Sequence, residues 1–204
     1  MSKKNIVVFI FYFLVIYCTN SAVAQSHALT DSTYFFSDTR DNKSYKVIVL
    51  DGRAWMAEPM RYKTSNSWCY GGKKKNCKLY GRMYTWGDAQ IACPQGWQLP
   101  SNEEWESLIT YLGGDKKAGN FFAARDTSTF YLTFGYPPNI YGRFADDANE
   151  LHFWSTTQFN DNTAWHYFII KDKLPLISSS YISKNYHLNC LCVKNDDSVM
   201  NEEK

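Results

Sequence analysis

Ala92-Cys93-Pro94-Gln95-Gly96-Trp97-Gln98-Leu99-Pro100-Ser101-Asn102-Glu103-Glu104-Trp105 carries the sharpest local signals in the chain. Pro94 pushes Cys93 out of the helical region, and Pro94-Gln95-Gly96 reads as a turn. Ser101 then offers an N-cap, with Glu104 three residues on as its capping-box partner. Trp105, Leu108, Ile109 and Leu112 recur at i, i+3, i+4 and i+7, so one face of this helix is apolar. Gly113-Gly114 ends it. The spacing predicts a helix over 101–112, with a further helical segment over 116–125.

On the N-terminal side, Tyr45 to Leu50 and Arg53 to Ala57 are apolar runs joined by Asp51-Gly52. Gly accepts the positive φ of a type I′ turn, so this reads as a β-hairpin. A short helix over 84–92 is expected before Cys93-Pro94. From about residue 130 the chain turns to short strands and long loops. Phe153-Trp154-Ser155, Ala164 to Ile170 and His187 to Val193 are the strand candidates. Residues 25–33 are polar and read as a loose leader, and the polar tail 195–204 as frayed. There is no internal repeat and no low-complexity tract.

The first residues read as an address. Lys3 and Lys4 precede the apolar run Ile6 to Tyr17, and Ala22-Val23-Ala24 offers a small-x-small cleavage site. These are the three parts of a secretory signal peptide. The apolar run is shorter than the ~20 residues that span a bilayer, and Tyr17 before Cys18 argues against a lipoprotein. Cleavage removes two Lys and no acid, so the formal charge of +2 falls to neutral. Of the 204 residues, 45% are hydrophobic and 21% charged, which fits a chain with a packed core rather than a disordered one. The charge balance gives no footprint for nucleic acid. Coiled coils, collagens and polytopic membrane proteins are excluded by the same composition. Aromatics reach 17%, with 7 Trp, 15 Tyr and 13 Phe. That content fits stacked core rings or a surface for sugars and other flat apolar faces.

Export makes disulfides the default reading of Cys69, Cys77, Cys93, Cys190 and Cys192. Cys69 and Cys77 bracket a flexible basic loop that a local bridge would close. Cys93 is then left to reach Cys190 or Cys192, with one thiol over. Cys190 and Cys192 are two apart and share a face if they lie on a strand. Zinc is the rival reading, but paired Cys-x-x-Cys knuckles are missing and the four His are scattered.

No Gly-x-Ser-x-Gly, phosphate loop or His-Glu-x-x-His occurs. His152 and His166 pair with no nucleophile and read as ordinary surface or edge residues. Glu103 and Glu104 diverge by about 100° on the helix, so capping and the helix dipole explain them. Asp146-Asp147-Ala148-Asn149-Glu150 and Asn160-Asp161-Asn162 carry oxygens of the kind calcium takes. Lectin-type calcium motifs are absent, so solvated loop is the reading, with no cofactor expected. Tyr136, Tyr141, Phe144 and Phe159 fall in the predicted long loops and are the candidate ligand contacts. Lys73-Lys74-Lys75 reads as a solvated tip, with contact to an anionic glycan or surface as the functional alternative.

Several of these segments occur together in one family. Asp51-Gly52-Arg53-Ala54-Trp55-Met56-Ala57-Glu58 resembles its opening motif; Trp68-Cys69-Tyr70, Cys77 and Tyr80-Gly81-Arg82-Met83-Tyr84-Thr85-Trp86 resemble its centre. Ala92-Cys93-Pro94-x-Gly96-Trp97-x-Leu99-Pro100-Ser101-x-x-Glu104-Trp105 is the most specific stretch, followed by Trp154-Ser155-Thr156-Thr157 and the closing Cys192-Val193-Lys194. The chain is similar to the Fibrobacter succinogenes major paralogous domain over residues 36–194. It departs at Thr156, at Tyr136-Pro137-Pro138-Asn139 and at Cys190, where the family usually has no cysteine.

The resemblance implies an α+β, C-type-lectin-like fold: two main helices, a small twisted antiparallel sheet, long loops and termini side by side. It implies bridges Cys69–Cys77 and Cys93–Cys192, leaves Cys190 as a free thiol, and puts Trp55, Trp86, Trp97, Trp105 and Trp154 in the core. The organisation expected is a signal peptide 1–24, a leader 25–35, the family domain 36–194 and a tail 195–204. The function expected is a secreted or envelope binding or adhesion module for glycan or protein. No catalysis, nucleic-acid partner or membrane span after cleavage is expected. One alternative is a relative of the formylglycine-generating copper oxidases, using Cys190 and Cys192. The other is a structural envelope component.

Overall fold

The computed structural model describes residues 32–124, 150–170 and 175–195. The signal-peptide reading, the polar tail, Tyr136, Tyr141, Phe144 and the acidic stretch Asp146 to Asn149 lie outside them.

The described residues begin with three antiparallel strands: β1 (Thr33–Asp38), β2 (Lys43–Leu50) and β3 (Arg53–Met56). Asp51 (φ 50°) and Gly52 (φ 72°) both take the positive φ that a type I′ turn needs. Next come β4 (Ser67–Cys69), a 3₁₀ turn Tyr70–Gly72, α1 (Lys74–Tyr80), β5 (Arg82–Tyr84), α2 (Trp86–Ala89) and β6 (Trp97–Gln98).

The helix predicted over 101–112 is α3 (Asn102–Tyr111). Ser101 Oγ accepts from Glu104 N, and Ser101 N donates to Glu104 Oε2 at 2.7 Å, so both halves of the capping box are formed. At its end Gly113 N bonds Thr110 O and Gly114 N bonds Ile109 O, the paired bonds of a Schellman motif. Helix α4 (Asp115–Ala123) follows. The remaining strands are β7 (Glu150–Gln158), β8 (Thr163–Ile170), β9 (Leu176–Ser183), β10 (Leu188–Asn189) and β11 (Val193–Lys194).

The expected two-helix, small-sheet lectin-like architecture is not what forms. Among the described residues the protein is mostly β. A five-stranded sheet runs β1-β2-β3-β11-β6, a six-stranded sheet runs β4-β5-β10-β7-β8-β9, and the four α-helices are short. Two edge strands account for much of the difference. In β9 only Ile177 is buried, so its Ser-rich sequence shows no alternation. In β1 exposed Thr33, Tyr34 and Phe35 read as leader. Edge strands need only one neighbour, so hydropathy marks them weakly.

The loop expected between Cys69 and Cys77 is instead the 3₁₀ turn and α1. Helix α1 buries no residue, so it carried no apolar stripe to read. The helix expected over 84–92 shrinks to α2, because Arg82–Tyr84 is taken up by β5. Residues 187–193 do not form one strand. Cys190 and Cys192 lie between β10 and β11, each facing the hairpin end through a carbonyl: Met60 N donates to Cys190 O and Met56 N to Cys192 O.

Strand β11 is inserted between β3 and β6, with Val193 opposite both Trp55 and Gln98. The chain's last strand thus completes a sheet begun by its first. Cys93–Cys192 (Cα–Cα 5.9 Å) fixes that insertion, and Cys69–Cys77 (Cα–Cα 4.8 Å) closes α1 against β4. Cys190 is a fully buried thiol.

Two buried clusters share β2: Ile48 and Leu50 enter one, Tyr45 and Val47 the other. The first centres on Trp105, whose ring lies 5.1 Å from Tyr167, 5.6 Å from Trp55 and 5.9 Å from Phe153. The second holds Trp154, Tyr84, Trp97, Met56 and Met60, with Trp154 Nε1 donating to Tyr84 O at 2.8 Å. Among the described residues, no helix is long and apolar enough to cross a membrane.

Candidate ligand-binding surface

Of the four aromatic residues read as ligand contacts, Phe159 is the one that falls among the described residues. It sits directly after β7, where the chain turns into β8. Asn160 shapes that turn: its Oδ1 accepts from Asn162 N and Thr163 N, each at 2.9 Å. Phe159 N and Asn160 N both donate to Thr163 O at 3.1 Å. The Asn160-Asp161-Asn162 stretch, weighed as a calcium loop, thus spends the Asn160 side-chain oxygen on its own backbone.

Sheet register then does what loop position alone does not. Trp165 on β8 pairs directly with Tyr181 on β9. Phe159 stacks on Tyr181 with centroids 3.9 Å apart and planes 2° from parallel. Trp165 meets both rings edge-on at 5.8 Å. Phe159 and Tyr181 remain 47% and 49% exposed, and Trp165 is half-buried. Three rings are therefore fixed against each other while two keep about half their surface in water. Trp165 and Tyr181 escape a sequence reading. Trp165 stands in a run that reads as core strand, Tyr181 follows three serines, and only the β8–β9 register joins them to Phe159.

Two residues further along both strands, on the same face by alternation, Tyr167 pairs with Ser179. Here a cleft of about 460 Å³ opens between the sheet and α3–α4, lined by Glu106, Thr110, Asp115, Tyr167, Ser178 and Ser179 among others. Burial, with Glu106 and Glu103 nearby, pushes the Tyr167 phenol well up, so it stays a neutral donor and bonds Asn102 O at 3.3 Å. Aromatic faces beside hydroxyls and carboxylates match a sugar ring, which offers an apolar C–H face and a rim of hydroxyls. On the turn side, Lys184 Nζ bonds Gln158 Oε1 at 2.9 Å and Asp161 O at 3.0 Å and lies 4.4 Å from the Trp86 ring centre.

The opposite face carries the two histidines, and neither is an ordinary surface residue. His166 is 5% exposed and stacks on His152 at 5.3 Å and on Phe168 at 5.5 Å. Burial first, and then the His152 charge, lower the His166 pKa to about 4. His152 is also lowered by burial, against a 2.7 Å contact with Glu150. Neutral, stacked imidazoles serve here as flat packing surfaces. Among the described residues, no group of three or more His, Cys, Asp or Glu side chains converges on a point.

The cysteine pair of the oxidase reading is not a pair of thiols. Cys192 is bonded to Cys93, and burial raises the Cys190 pKa well above its ordinary value. The core indoles fall as the resemblance implies for Trp55, Trp97, Trp105 and Trp154, all buried. Trp86 is only half-buried, with Nε1 donating to Ser155 O at 2.9 Å. Lys74 is exposed on α1.

Disulfides persist in oxidising compartments, so the two bridges fit a non-cytoplasmic protein. No curated protein and no solved structure matches the chain. The Fibrobacter succinogenes major domain model matches residues 39–194, from the end of β1 through β11, and the chain belongs to that family.

Proposed function

We propose that this protein is an exported binding or adhesion module, secreted or held at the cell envelope, that takes a glycan on the Phe159–Trp165–Tyr181 surface. The observation that carries the reading is the exposed, mutually stacked aromatic trio leading into a hydroxyl- and carboxylate-lined cleft. Preset rings lose little conformational entropy when a ligand lands on them. The β8–β9 ladder fixes two of the three, which supports binding without rearrangement. Binding rather than catalysis is favoured because the buried thiol and the neutral, stacked histidines offer neither a nucleophile nor a poised base.

A glycan array with the disulfide-intact protein tests this. Retention of neutral oligosaccharides that drops roughly tenfold in Phe159→Ala and in Tyr181→Ala is expected, since a ring contact contributes on the order of 1 kcal/mol. Exposed rings contribute little to folding, so both variants should melt near the parent temperature. An array with no neutral-glycan signal, or signal unchanged in both variants, overturns the reading.

A further inference from the structure

At the other edge of the six-stranded sheet lies a second and chemically different concavity. Its volume is about 590 Å³, within the usual range for small-ligand sites. Six cationic side chains line it: Lys43 from β2, Arg61, Lys63, Lys74 and Lys78 from α1, and Arg82 from β5. Two of the six have a carboxylate partner, Lys43 with Asp41 and Arg61 with Glu58 at 3.4 Å. Lys63, Lys74, Lys78 and Arg82 make no ion pair among the described residues.

Arg82 is held without being neutralised. Its Nε donates to Ser67 Oγ at 2.9 Å, its Nη2 to Ser67 O at 2.6 Å, and its Nη1 lies 3.3 Å from Cys77 Sγ. Arg61 Nε has no acceptor. Lys74 and Lys78 are one helical turn apart and share a face of α1. Cys77, between them, is bonded to Cys69 of β4, so the bridge aims that face. A protein that is formally near neutral thus gathers around one hollow four cations that form no ion pair among the described residues.

We propose that this cleft is a second binding site, for a stretch of acidic polysaccharide bearing carboxylate or sulfate groups. Several cations spread around the hollow suit a ligand with repeated charges better than a single small anion. The lysine stems supply apolar surface beneath the charged heads, which suits sugar rings carrying anionic substituents. Arg82, whose Nε and Nη2 are bonded to Ser67, adds a fixed positive charge to the hollow, and the lysines act as mobile point charges. No aromatic side chain is among the lining residues, so nucleic-acid bases would find no stacking platform. A concave site also suits a chain better than a flat lipid surface. The proposal stands independently of the aromatic surface, which lies on β8 and β9 at the far edge.

Titration calorimetry on the full chain with both disulfides formed tests it. The probes are short polygalacturonate, a sulfated glycosaminoglycan fragment, a neutral oligosaccharide of matched length, inorganic phosphate, and vesicles of anionic phospholipid. At least one acidic oligosaccharide should bind and weaken steeply with added salt, which the neutral one, bound if at all on the aromatic surface, should not. The better acidic arm identifies the anionic group. Lys74→Gln/Lys78→Gln should weaken that binding roughly tenfold, the loss of two charge contacts. Lys116→Gln/Lys117→Gln on α4 and Phe159→Ala should leave it unchanged. All of these side chains are exposed or half-exposed, so folding should survive, with circular dichroism as the check. The proposal is overturned if no acidic oligosaccharide binds, or if its binding is as insensitive to salt and to Lys74→Gln/Lys78→Gln as that of the neutral one. It is also overturned if only phosphate or vesicles bind, or if the α4 or Phe159 variant loses as much as the α1 variant.

Discussion

Replacing Trp105 with alanine should remove the centre of the larger core. The indole is fully buried and contacts Trp55, Phe122, Phe153 and Tyr167, drawn from β3, α4, β7 and β8. A buried Trp removes ~150–250 Å² from water, which at ~25 cal/mol per Å² is about 4–6 kcal/mol. One feature works against it: Trp105 Nε1 is buried without an acceptor among the described residues. An unmet donor costs ~1–3 kcal/mol, and alanine relieves that cost. The net loss expected is therefore about 3 kcal/mol, a large part of the ~5–15 kcal/mol that holds a typical domain. Trp105→Phe keeps a ring against Tyr167 and removes the unmet donor, so its loss should be no more than about 2 kcal/mol. Guanidinium unfolding of the oxidised protein, followed by far-ultraviolet circular dichroism, gives both values from midpoints at constant m. An alanine variant within 1 kcal/mol of the parent would refute the burial argument, and a phenylalanine variant as costly as alanine would refute the role given to Nε1.

Opening Cys93–Cys192 by Cys93→Ser should cost ~4–5 kcal/mol, because the bridge closes a separation of 99 residues; a midpoint shift no larger than that of Cys69→Ser, whose loop spans 8, would contradict this. His166 should make the fold acid-sensitive. Burial keeps it neutral down to about pH 4, while the unfolded chain takes up its proton near 6.5. Stability is then fully present above pH 6.5, falls by ~1.4 kcal/mol per pH unit toward 4, and levels off below. Urea midpoints measured across that window should slope less in His166→Phe, and an identical slope would rule the residue out. Gly119→Ala on α4 should destabilise despite a helix-propensity gain of ~1 kcal/mol, because a Cβ there would stand 2.6 Å from Pro175 O and 2.8 Å from Leu176 Cα; a higher melting temperature would mean that α4 can shift off β9.

Sequence reading succeeded where the signal is local. Asp51-Gly52 sets a turn through its own dihedral angles, and Ser101 with Glu104 sets a helix start through bonds within four residues. It failed where a partner supplies the signal. Ser178-Ser179-Ser180 becomes strand because β8 offers a ladder. Val193 becomes a central strand residue because β3 and β6, far away in the chain, leave a gap for it. The lectin-like expectation followed from the family resemblance, whereas most of the two sheets is built from segments with weak marks of their own. The same limit applied to the binding surface. Phe159 is legible as an aromatic in a predicted long loop, but its neighbours Trp165 and Tyr181 are defined by strand register.

The two bridges act on different parts of this molecule. Cys93–Cys192 reinforces a position that packing already favours, since Cys192 lies in the buried cluster with Trp97 and Met56 and Cys93 packs against that cluster. Cys69–Cys77 has no such support. Helix α1 buries nothing, has no side-chain N-cap and is seven residues long, well below the length at which an isolated helix is stable in water. Its order therefore comes from outside: the bridge to β4, and Arg82 packed against both sulfurs and bonded to Ser67. An unsupported segment of this kind would ordinarily be a disordered loop. Here covalent closure holds two lysines in one geometry around a cleft that already contains Arg82. The bridge thus adds little core burial and much positional order, which is what a preorganised charged site requires.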